Sequence, residues 1–98
     1  MGKSLFDIEG KVVLVTGGAR GIGLMLTRAF LIAGARVYIT SRNQDNCYKT
    51  AEKMSGLGEC KALPADLSKI EEIDRLVSDF SGRETHLDVL INNAGTTW

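Results

Sequence analysis

Short apolar runs alternate along this chain with longer segments in which apolar residues recur at helical spacing. The run from Val12 to Val15 contains three β-branched residues, and the run from Val37 to Thr40 also contains three. Such runs are typical of strands that are buried on both faces of a parallel sheet. With two weaker candidates they predict four strands, at about residues 11–16, 36–41, 59–65 and 87–91.

The segment after the first strand has the periodicity of a helix from about Gly21 to Ala33. Gly34 follows at the place where a glycine commonly ends a helix. Thr27 and Arg28 are predicted to lie off the apolar side of this helix. That side is predicted to consist of Ile22, Met25, Leu26, Ala29, Ile32 and Ala33.

Two further helices are predicted in the second half of the chain. Asn43 or Asp45 can cap the first of them, which carries Cys47, Ala51 and Met54 on one face and ends at Gly56 or Gly58. Ser68 and Glu71 have the spacing of a capping box, so they predict the start of the last helix. Its apolar stripe is predicted to consist of Ile70, Ile73, Val77 and Phe80.

Strands that alternate with helices predict an α/β fold with a parallel sheet. We expect a Rossmann-like three-layer αβα arrangement with the partial strand order 3-2-1-4, which is the N-terminal half of a dinucleotide-binding fold. The 98 residues are expected to form one truncated domain that ends just after the fourth strand.

Composition excludes several classes of partner. The chain has 12 basic and 12 acidic residues, so it lacks the positive surplus of a nucleic-acid-binding protein. Its apolar runs are far shorter than the roughly 20 residues of a membrane span. Cys47 and Cys60 have no motif spacing and are predicted to be free thiols, which suits a cytoplasmic location. His86 has no His or Cys neighbour and is predicted to lie in a loop, so no metal site is expected.

The most informative stretch joins the first strand to the first helix. Its glycines follow the pattern T-G-x-x-x-G-x-G, formed by Thr16, Gly17, Gly21 and Gly23. Glycines at a helix N-terminus let main-chain N–H groups approach a pyrophosphate, which the helix dipole also favours. Taken alone, the same glycines are explained equally well by tight packing between the strand and the helix.

Other polar residues follow the remaining strands, and ligands of such sheets bind at the carboxyl ends of the strands. Ser41 and Arg42 stand where an NAD-binding protein commonly has an acidic residue, so they favour the 2′-phosphate of NADPH. Arg20 can reach that phosphate from the glycine turn. The alternative is that Arg42 is a solvated surface residue.

These motifs, together with Asp66-Leu67 after the third strand and N-N-A-G at residues 92–95, resemble the classical short-chain dehydrogenase/reductase family. The resemblance covers nearly the whole chain and is greatest to NADPH-dependent 3-oxoacyl-carrier-protein reductases, including the branch of rhamnolipid synthesis. It implies that Asp66 and Leu67 hold the adenine and that the N-N-A-G residues line the cofactor. The candidate NADP(H)-binding residues are Thr16, Gly17, Gly18, Arg20, Gly21, Ile22, Gly23, Ser41, Arg42, Asp66, Leu67, Asn93, Ala94 and Gly95.

No catalytic residue of the family is predicted within the chain. The family uses a serine and a Y-x-x-x-K motif, but Tyr38 is followed four residues later by Arg42, and Tyr48 by Glu52. We therefore expect an N-terminal part of a longer reductase, inactive by itself. The family resemblance implies a small or carrier-bound carbonyl substrate for the parent protein, and a homotetramer or homodimer. A free-standing NADP(H)-binding module is the alternative, whereas a methyltransferase is disfavoured by Ser41 and Arg42.

Overall fold

Four parallel strands alternate with three helices along residues 7–93, the part of the chain that the computed structural model describes. The sheet has the order β3-β2-β1-β4, so both the α/β class and the predicted order 3-2-1-4 are confirmed. The elements in chain order are β1 Val12–Thr16, α1 Gly21–Ile32, β2 Arg36–Thr40, α2 Gln44–Met54, β3 Cys60–Ala62, α3 Ile70–Ser81 and β4 Val89–Asn92.

Three strands of the sheet, β1, β2 and β4, end level with one another. Thr16, the last residue of β1, is paired with Thr40 at the end of β2 and with Asn92 at the end of β4. Because the strands are parallel, the loops that follow them all emerge at this one edge of the sheet. We call it the carboxyl edge.

Apolar side chains cover both faces of the sheet and produce the predicted three layers. Val13, Val15, Val37 and Ile39 are fully buried on the face that packs against α1 and α2. On the other face, a second cluster forms around α3 and consists of Val12, Leu14, Tyr38, Leu63, Ala65 and Leu76. Both central strands therefore end in a buried threonine after a run of buried side chains, and β2 differs from β1 in beginning with a charged residue, Arg36.

The predicted apolar side of α1 is wrong. Ile22, Met25 and Ile32 are exposed, whereas Thr27 is fully buried against the sheet. The Thr27 hydroxyl contacts the carbonyl oxygens of Gly23, at 2.9 Å, and Gly18, at 3.2 Å. Gly23 and Thr27 are the buried residues near the glycine turn because the helix approaches the turn closely there, and Leu31 is buried further along. Hydrophobicity alone does not report this requirement.

Gly34 ends α1 as predicted. The N–H of Gly34 donates to the carbonyl of Leu31, and the N–H of Ala35 donates to that of Phe30. This is the hydrogen-bond pattern of a Schellman motif. The helix thus ends sharply and delivers the chain directly into β2.

The predictions for α2 are confirmed at its start and on its buried face. The Asn43 side chain caps the helix by accepting a hydrogen bond from the N–H of Asn46 at 2.9 Å. Cys47, Ala51 and Met54 are buried as expected. The helix ends at Met54 with Ser55 as its C-cap, so Gly56, one of the two glycines predicted to stop it, directly follows the cap. β3 is shorter than its predicted range.

The predicted capping box of α3 does not form. Lys69 is the N-cap residue and no side chain within residues 7–93 caps the helix there. The Ser68 hydroxyl instead donates to Asp66 at 2.6 Å. Leu76 is the buried residue of α3, whereas Ile70, Ile73 and Val77 of the predicted stripe are exposed, so the predicted stripe is wrong at these three positions.

A charged cluster closes the opposite, amino edge of the sheet. Glu84 lies in the loop before β4, and both its carboxylate oxygens accept hydrogen bonds from Arg36, each at 2.9 Å. The Tyr38 hydroxyl also donates to Glu84, at 2.5 Å. Beside them, Asp88 accepts from the main-chain N–H of Val12 at 2.8 Å. These contacts connect the α3–β4 loop to β1 and β2.

Candidate functional site

An open cleft of about 910 Å³ lies at the carboxyl edge of the sheet. The segments that follow all four strands contribute to it, as the rule for ligand sites in parallel sheets predicts. Its lining residues are Gly17, Arg20, Thr40, Ser41, Arg42, Asn43, Ala65, Asp66, Leu67, Ser68, Asn92 and Asn93.

The glycine turn between β1 and α1 requires its glycines. Gly17 and Gly21 have φ angles of +68° and +56°, which residues with a Cβ rarely adopt. Gly23 is required for a different reason, since a Cβ there would lie 1.9 Å from the carbonyl oxygen of Gly17. The turn is therefore folded tightly back on the first turn of the helix.

The N-terminus of α1 is open to an anion. Arg20 is its N-cap residue, and within residues 7–93 no side chain caps the helix by a hydrogen bond. The first turn of α1 also contains no acidic residue. The first N–H groups of a helix have no partner within the helix, and the helix dipole adds positive potential at this end. This end of the cleft is thus suited to a phosphate group.

Thr16 connects the ends of β1 and β4. Its Oγ1 atom accepts a hydrogen bond from the main-chain N–H of Asn93 at 2.7 Å and lies 3.1 Å from Oδ1 of Asn92. It also lies 3.2 Å from the carbonyl oxygen of Ile91. The two asparagines of the N-N-A-G stretch are consequently fixed next to the glycine turn.

The end of β2 supplies hydroxyl groups and a positive charge. Ser41 and Arg42 line the cleft as predicted from the sequence. Thr40 also lines it, and its buried hydroxyl has no hydrogen-bond partner among the residues that the structure describes. A buried hydroxyl without a partner is costly, so it points to a ligand group at this position. Thr40 is not among the residues predicted from the sequence, although a threonine that ends a buried strand was a usable signal.

Asp66 lies in a tight turn at the end of the β3 segment. Its Oδ1 atom accepts from both the hydroxyl and the main-chain N–H of Ser68, at 2.6 and 3.0 Å. These two hydrogen bonds hold the pKa of Asp66 below its ordinary value, and the nearby charges of Lys69 and Arg42 add to the shift. Asp66 is thus a carboxylate at neutral pH and can accept hydrogen bonds from a ligand.

The structure brings together seven of the predicted site residues as lining of the cleft: Gly17, Arg20, Ser41, Arg42, Asp66, Leu67 and Asn93. Four other predicted residues lie in or under the glycine turn and do not line the cleft. Gly18 packs under Ile39, and Thr16, Gly21 and Gly23 shape the turn itself. The side chain of Ile22 is 67% exposed and lies outside the lining. The predicted residues Ala94 and Gly95 lie outside the described part of the chain.

No group of three or more His, Cys, Asp and Glu side chains within residues 7–93 is arranged to hold a metal ion. Among the same residues, no helix has both the length and the apolar character needed to cross a bilayer. His86 lies in the α3–β4 loop, where its Nε2 atom is 3.0 Å from Asp88.

The family model for short chain dehydrogenases matches residues 11–98. The chain therefore belongs to the short-chain dehydrogenase family, as the glycine turn and the carboxyl-edge residues indicate.

Individual relatives agree with this assignment. The chain is 46% identical over 93 residues to the rhamnolipids biosynthesis 3-oxoacyl-[acyl-carrier-protein] reductase of Pseudomonas aeruginosa, a match that covers 95% of the chain and 36% of that protein. It is 41% identical over 90 residues to a fatty acyl-CoA reductase of Mycobacterium tuberculosis, covering 91% of the chain and 31% of that protein. The chain thus spans about a third of the length of these relatives.

Solved structures show the same likeness. The RhlG/NADP active-site complex of Pseudomonas aeruginosa matches with a TM-score of 0.90 and 46% identity, over 95% of this chain and 36% of that one. L-Sorbose reductase from Gluconobacter frateurii, complexed with NADPH and L-sorbose, matches with a TM-score of 0.85 and 29% identity, over 93% of this chain and 36% of that one. Both structures contain a nicotinamide dinucleotide that carries a 2′-phosphate.

Proposed function

We propose that this chain is the NADP(H)-binding part of a short-chain reductase. The observation that carries the proposal is the end of β2, where Thr40, Ser41 and Arg42 line the cleft and Arg20 lines it from the glycine turn. An acidic residue at that position would bind the ribose hydroxyls of NAD(H) and repel a 2′-phosphate. Two guanidinium groups and two hydroxyl groups instead provide donors for the 2′-phosphate.

The remaining parts of the cleft fit the rest of such a dinucleotide. The N-terminus of α1 offers main-chain N–H groups to the diphosphate. The Asp66 carboxylate can accept hydrogen bonds from the adenine amino group, and Leu67 can pack on the ring. When bound, NADPH supplies the hydride for a reduction. The residues of this chain hold and orient the cofactor for that reaction.

The carbonyl substrate is proposed from the relatives. The Pseudomonas protein is named as a 3-oxoacyl-[acyl-carrier-protein] reductase, and the Mycobacterium protein as a fatty acyl-CoA reductase. A 3-oxoacyl thioester is therefore the substrate class that we propose for the whole protein. Neither Tyr38 nor Tyr48 heads the Y-x-x-x-K motif that donates the proton in this family, so we propose no proton donor among these residues.

Exposed apolar surface supports the proposal that this is part of a longer domain. Ile70 and Val77 on α3 are each more than half exposed, and so is Leu90 on β4. β4 pairs only with β1 among the strands of residues 7–93, so one of its edges is open. An open edge beside exposed apolar residues is the surface that further strands and helices of a domain cover.

A free-standing NADP(H)-binding module remains the second candidate, because both tyrosines lack the partner lysine. The two candidates differ in catalysis. Protein expressed from the complete coding region should oxidise NADPH in the presence of a 3-oxoacyl thioester if it is a reductase. Binding of NADPH without turnover of any carbonyl compound would favour the module.

The cofactor proposal is tested by replacing Arg42 with alanine. Arg28→Ala is the matched control, because Arg28 is exposed on α1 and lies outside the lining of the cleft. Loss of a charge-assisted contact to phosphate should raise the NADPH dissociation constant about tenfold or more, while NADH binding stays unchanged. Equal effects of Arg42→Ala on NADPH and NADH, or no effect on either, would overturn the proposed recognition of the 2′-phosphate.

A further inference from the structure

The turn that carries Asp66 is held by side chains of α3 that lie outside the cleft. Glu72, in the first turn of α3, accepts a hydrogen bond from the main-chain N–H of Asp66 through its Oε1 atom at 3.1 Å. Arg75 donates to the same Oε1 atom at 2.8 Å and to the carbonyl oxygen of Pro64 at 3.0 Å. One ion pair thus binds main-chain groups on both sides of Ala65.

The same turn is also held by a hydrogen bond to the end of β2 and by a hydrogen bond between two of its own residues. The N–H of Ala65 donates to the carbonyl of Ser41 at 3.1 Å, which links the turn to the end of β2. Ser68 donates to the Asp66 carboxylate. Glu72 is the acceptor for the main-chain N–H of Asp66, which lies between these contacts. Glu72 thus contacts the main chain of the residue whose carboxylate lines the cleft.

The ion pair itself contributes little to stability, because both side chains are partly exposed and such pairs are screened by water. The pair acts instead through the hydrogen bonds that it makes to the main-chain N–H of Asp66 and the carbonyl oxygen of Pro64. Arg75 and the Asp66 N–H hold the pKa of Glu72 below its ordinary value, so Glu72 remains an anionic acceptor at neutral pH. Without this acceptor, the partly buried N–H must seek water and the turn loses a constraint.

We propose that Glu72, oriented by Arg75, is a positioning residue that sets the adenosine end of the dinucleotide site through the backbone of Asp66. The inference rests on the proposed function and deepens it, because it assigns a determinant of cofactor affinity to a residue that does not line the cleft. Adenosine is common to NADPH and NADH. Glu72 should therefore affect both cofactors by the same factor, in contrast to Arg42.

Glu71 provides a matched control. It lies beside Glu72 in the first turn of α3 and is exposed, so Glu71→Leu and Glu72→Leu remove the same charge from the same helix end. Glu72→Gln retains an oxygen that can accept the Asp66 N–H, so it should rescue binding. Arg75→Met keeps the Glu72 acceptor but removes the donor that orients it, and it gives a second test if Glu72→Leu does not fold.

The experiment measures dissociation constants for NADPH and NADH with protein expressed from its complete coding region, at a temperature where each variant is folded. We expect Glu72→Leu to raise the dissociation constants of both NADPH and NADH by about five- to tenfold. Arg75→Met should raise both constants to a smaller extent. Glu72→Gln and Glu71→Leu should bind both cofactors like the parent protein. If parent protein binds and neither Glu72→Leu nor Arg75→Met differs from Glu71→Leu, the inference is overturned while the proposed function stands. If parent protein binds neither cofactor, the proposed function itself is overturned.

Discussion

The Oγ1 atom of Thr16 accepts the main-chain N–H of Asn93 at 2.7 Å, so the last residue of β1 holds the first residue after β4. The same oxygen lies within hydrogen-bond distance of Asn92. Thr16 is buried in this position. One hydroxyl therefore fixes the spacing between the glycine turn and the asparagines beside it.

Replacement of Thr16 by valine tests this link. Valine keeps the shape of threonine but leaves the Asn93 N–H without its acceptor, which should lower the free energy of unfolding by about 1–3 kcal/mol. Thr16→Ser keeps the hydroxyl and should lower the free energy of unfolding by a smaller amount. Urea unfolding of the two variants makes the comparison. A valine variant as stable as the serine variant would show that the hydroxyl does not hold the two strands together.

Replacement of Gly23 by alanine should distort the glycine turn. The new Cβ would lie 1.9 Å from the Gly17 carbonyl oxygen and 2.8 Å from Nδ2 of Asn93, so the main chain must move. We expect a loss of about 1–3 kcal/mol in unfolding free energy, as for other overpacked sites, and a marked loss of NADPH affinity.

Gly82→Ala is the control for this substitution. Gly82 has helical angles, and a Cβ there would meet only carbonyl oxygens at 3.6 Å. Alanine at such a site is neutral or stabilises by about 0.4–1 kcal/mol through the unfolded chain. If Gly23→Ala behaved like Gly82→Ala in both unfolding and binding, close approach of the turn would not be the reason for the glycine.

The Tyr38–Glu84 contact should make stability fall at both ends of the pH range. The hydrogen bond from Tyr38, followed by that from Arg36, lowers the pKa of Glu84. Its stabilisation is therefore present above the unfolded pKa of about 4.3 and is lost as the pH falls through the lower folded pKa. Burial, followed by the bond to Glu84, raises the pKa of Tyr38 to about 12. That stabilisation is present below the unfolded pKa of about 10 and is lost as the pH rises toward 12.

Two variants separate these limbs. Glu84→Gln should flatten the acid limb of a plot of unfolding free energy against pH, and Tyr38→Phe should flatten the alkaline limb. Glu59→Gln is the control, because Glu59 also pairs with Arg36 but is largely exposed. Acid and alkaline limbs that are unchanged in Glu84→Gln and Tyr38→Phe would contradict the assignment.

Cys47 and Cys60 should react slowly in the folded protein. Both are buried free thiols, and burial raises the pKa of each to about 11, which suppresses the reactive thiolate. A thiol reagent such as 5,5′-dithiobis-(2-nitrobenzoate) should label them at the rate of unfolding, with NADPH slowing the reaction further. Cys47→Ser and Cys60→Ser assign the signal. Immediate labelling of either thiol in native protein would be inconsistent with its burial.

Much of the fold was predictable because strands buried on both faces leave a strong signal. The run from Val12 to Val15 and the run from Val37 to Thr40 have few alternatives to a parallel sheet, and the helix ends at Asn43 and Gly34 follow local capping chemistry. The face of α1 was not predictable from hydrophobicity. Thr27 is buried because it meets the carbonyls of the glycine turn, and that contact exists only once the helix has docked.

The lining of the cleft was predictable where polar residues follow strands, as at Arg42 and Asp66. The site was less predictable where a residue acts through the backbone. The sequence suggested that the Glu71 side chain caps α3. In the structure it is the Glu72 side chain that accepts a main-chain hydrogen bond, from the N–H of Asp66. The choice between two adjacent carboxylates depends on where the helix begins, and a start displaced to Ile70 decided it.

The most direct test of the central claim is a calorimetric titration of the protein, expressed from its complete coding region, with NADPH and with NADH under identical conditions. The arginines and hydroxyls of the cleft predict that NADPH binds at least about tenfold more tightly, with a difference that shrinks at high salt. Equal affinities, or tighter binding of NADH, would contradict the assignment of this cleft to a 2′-phosphorylated dinucleotide.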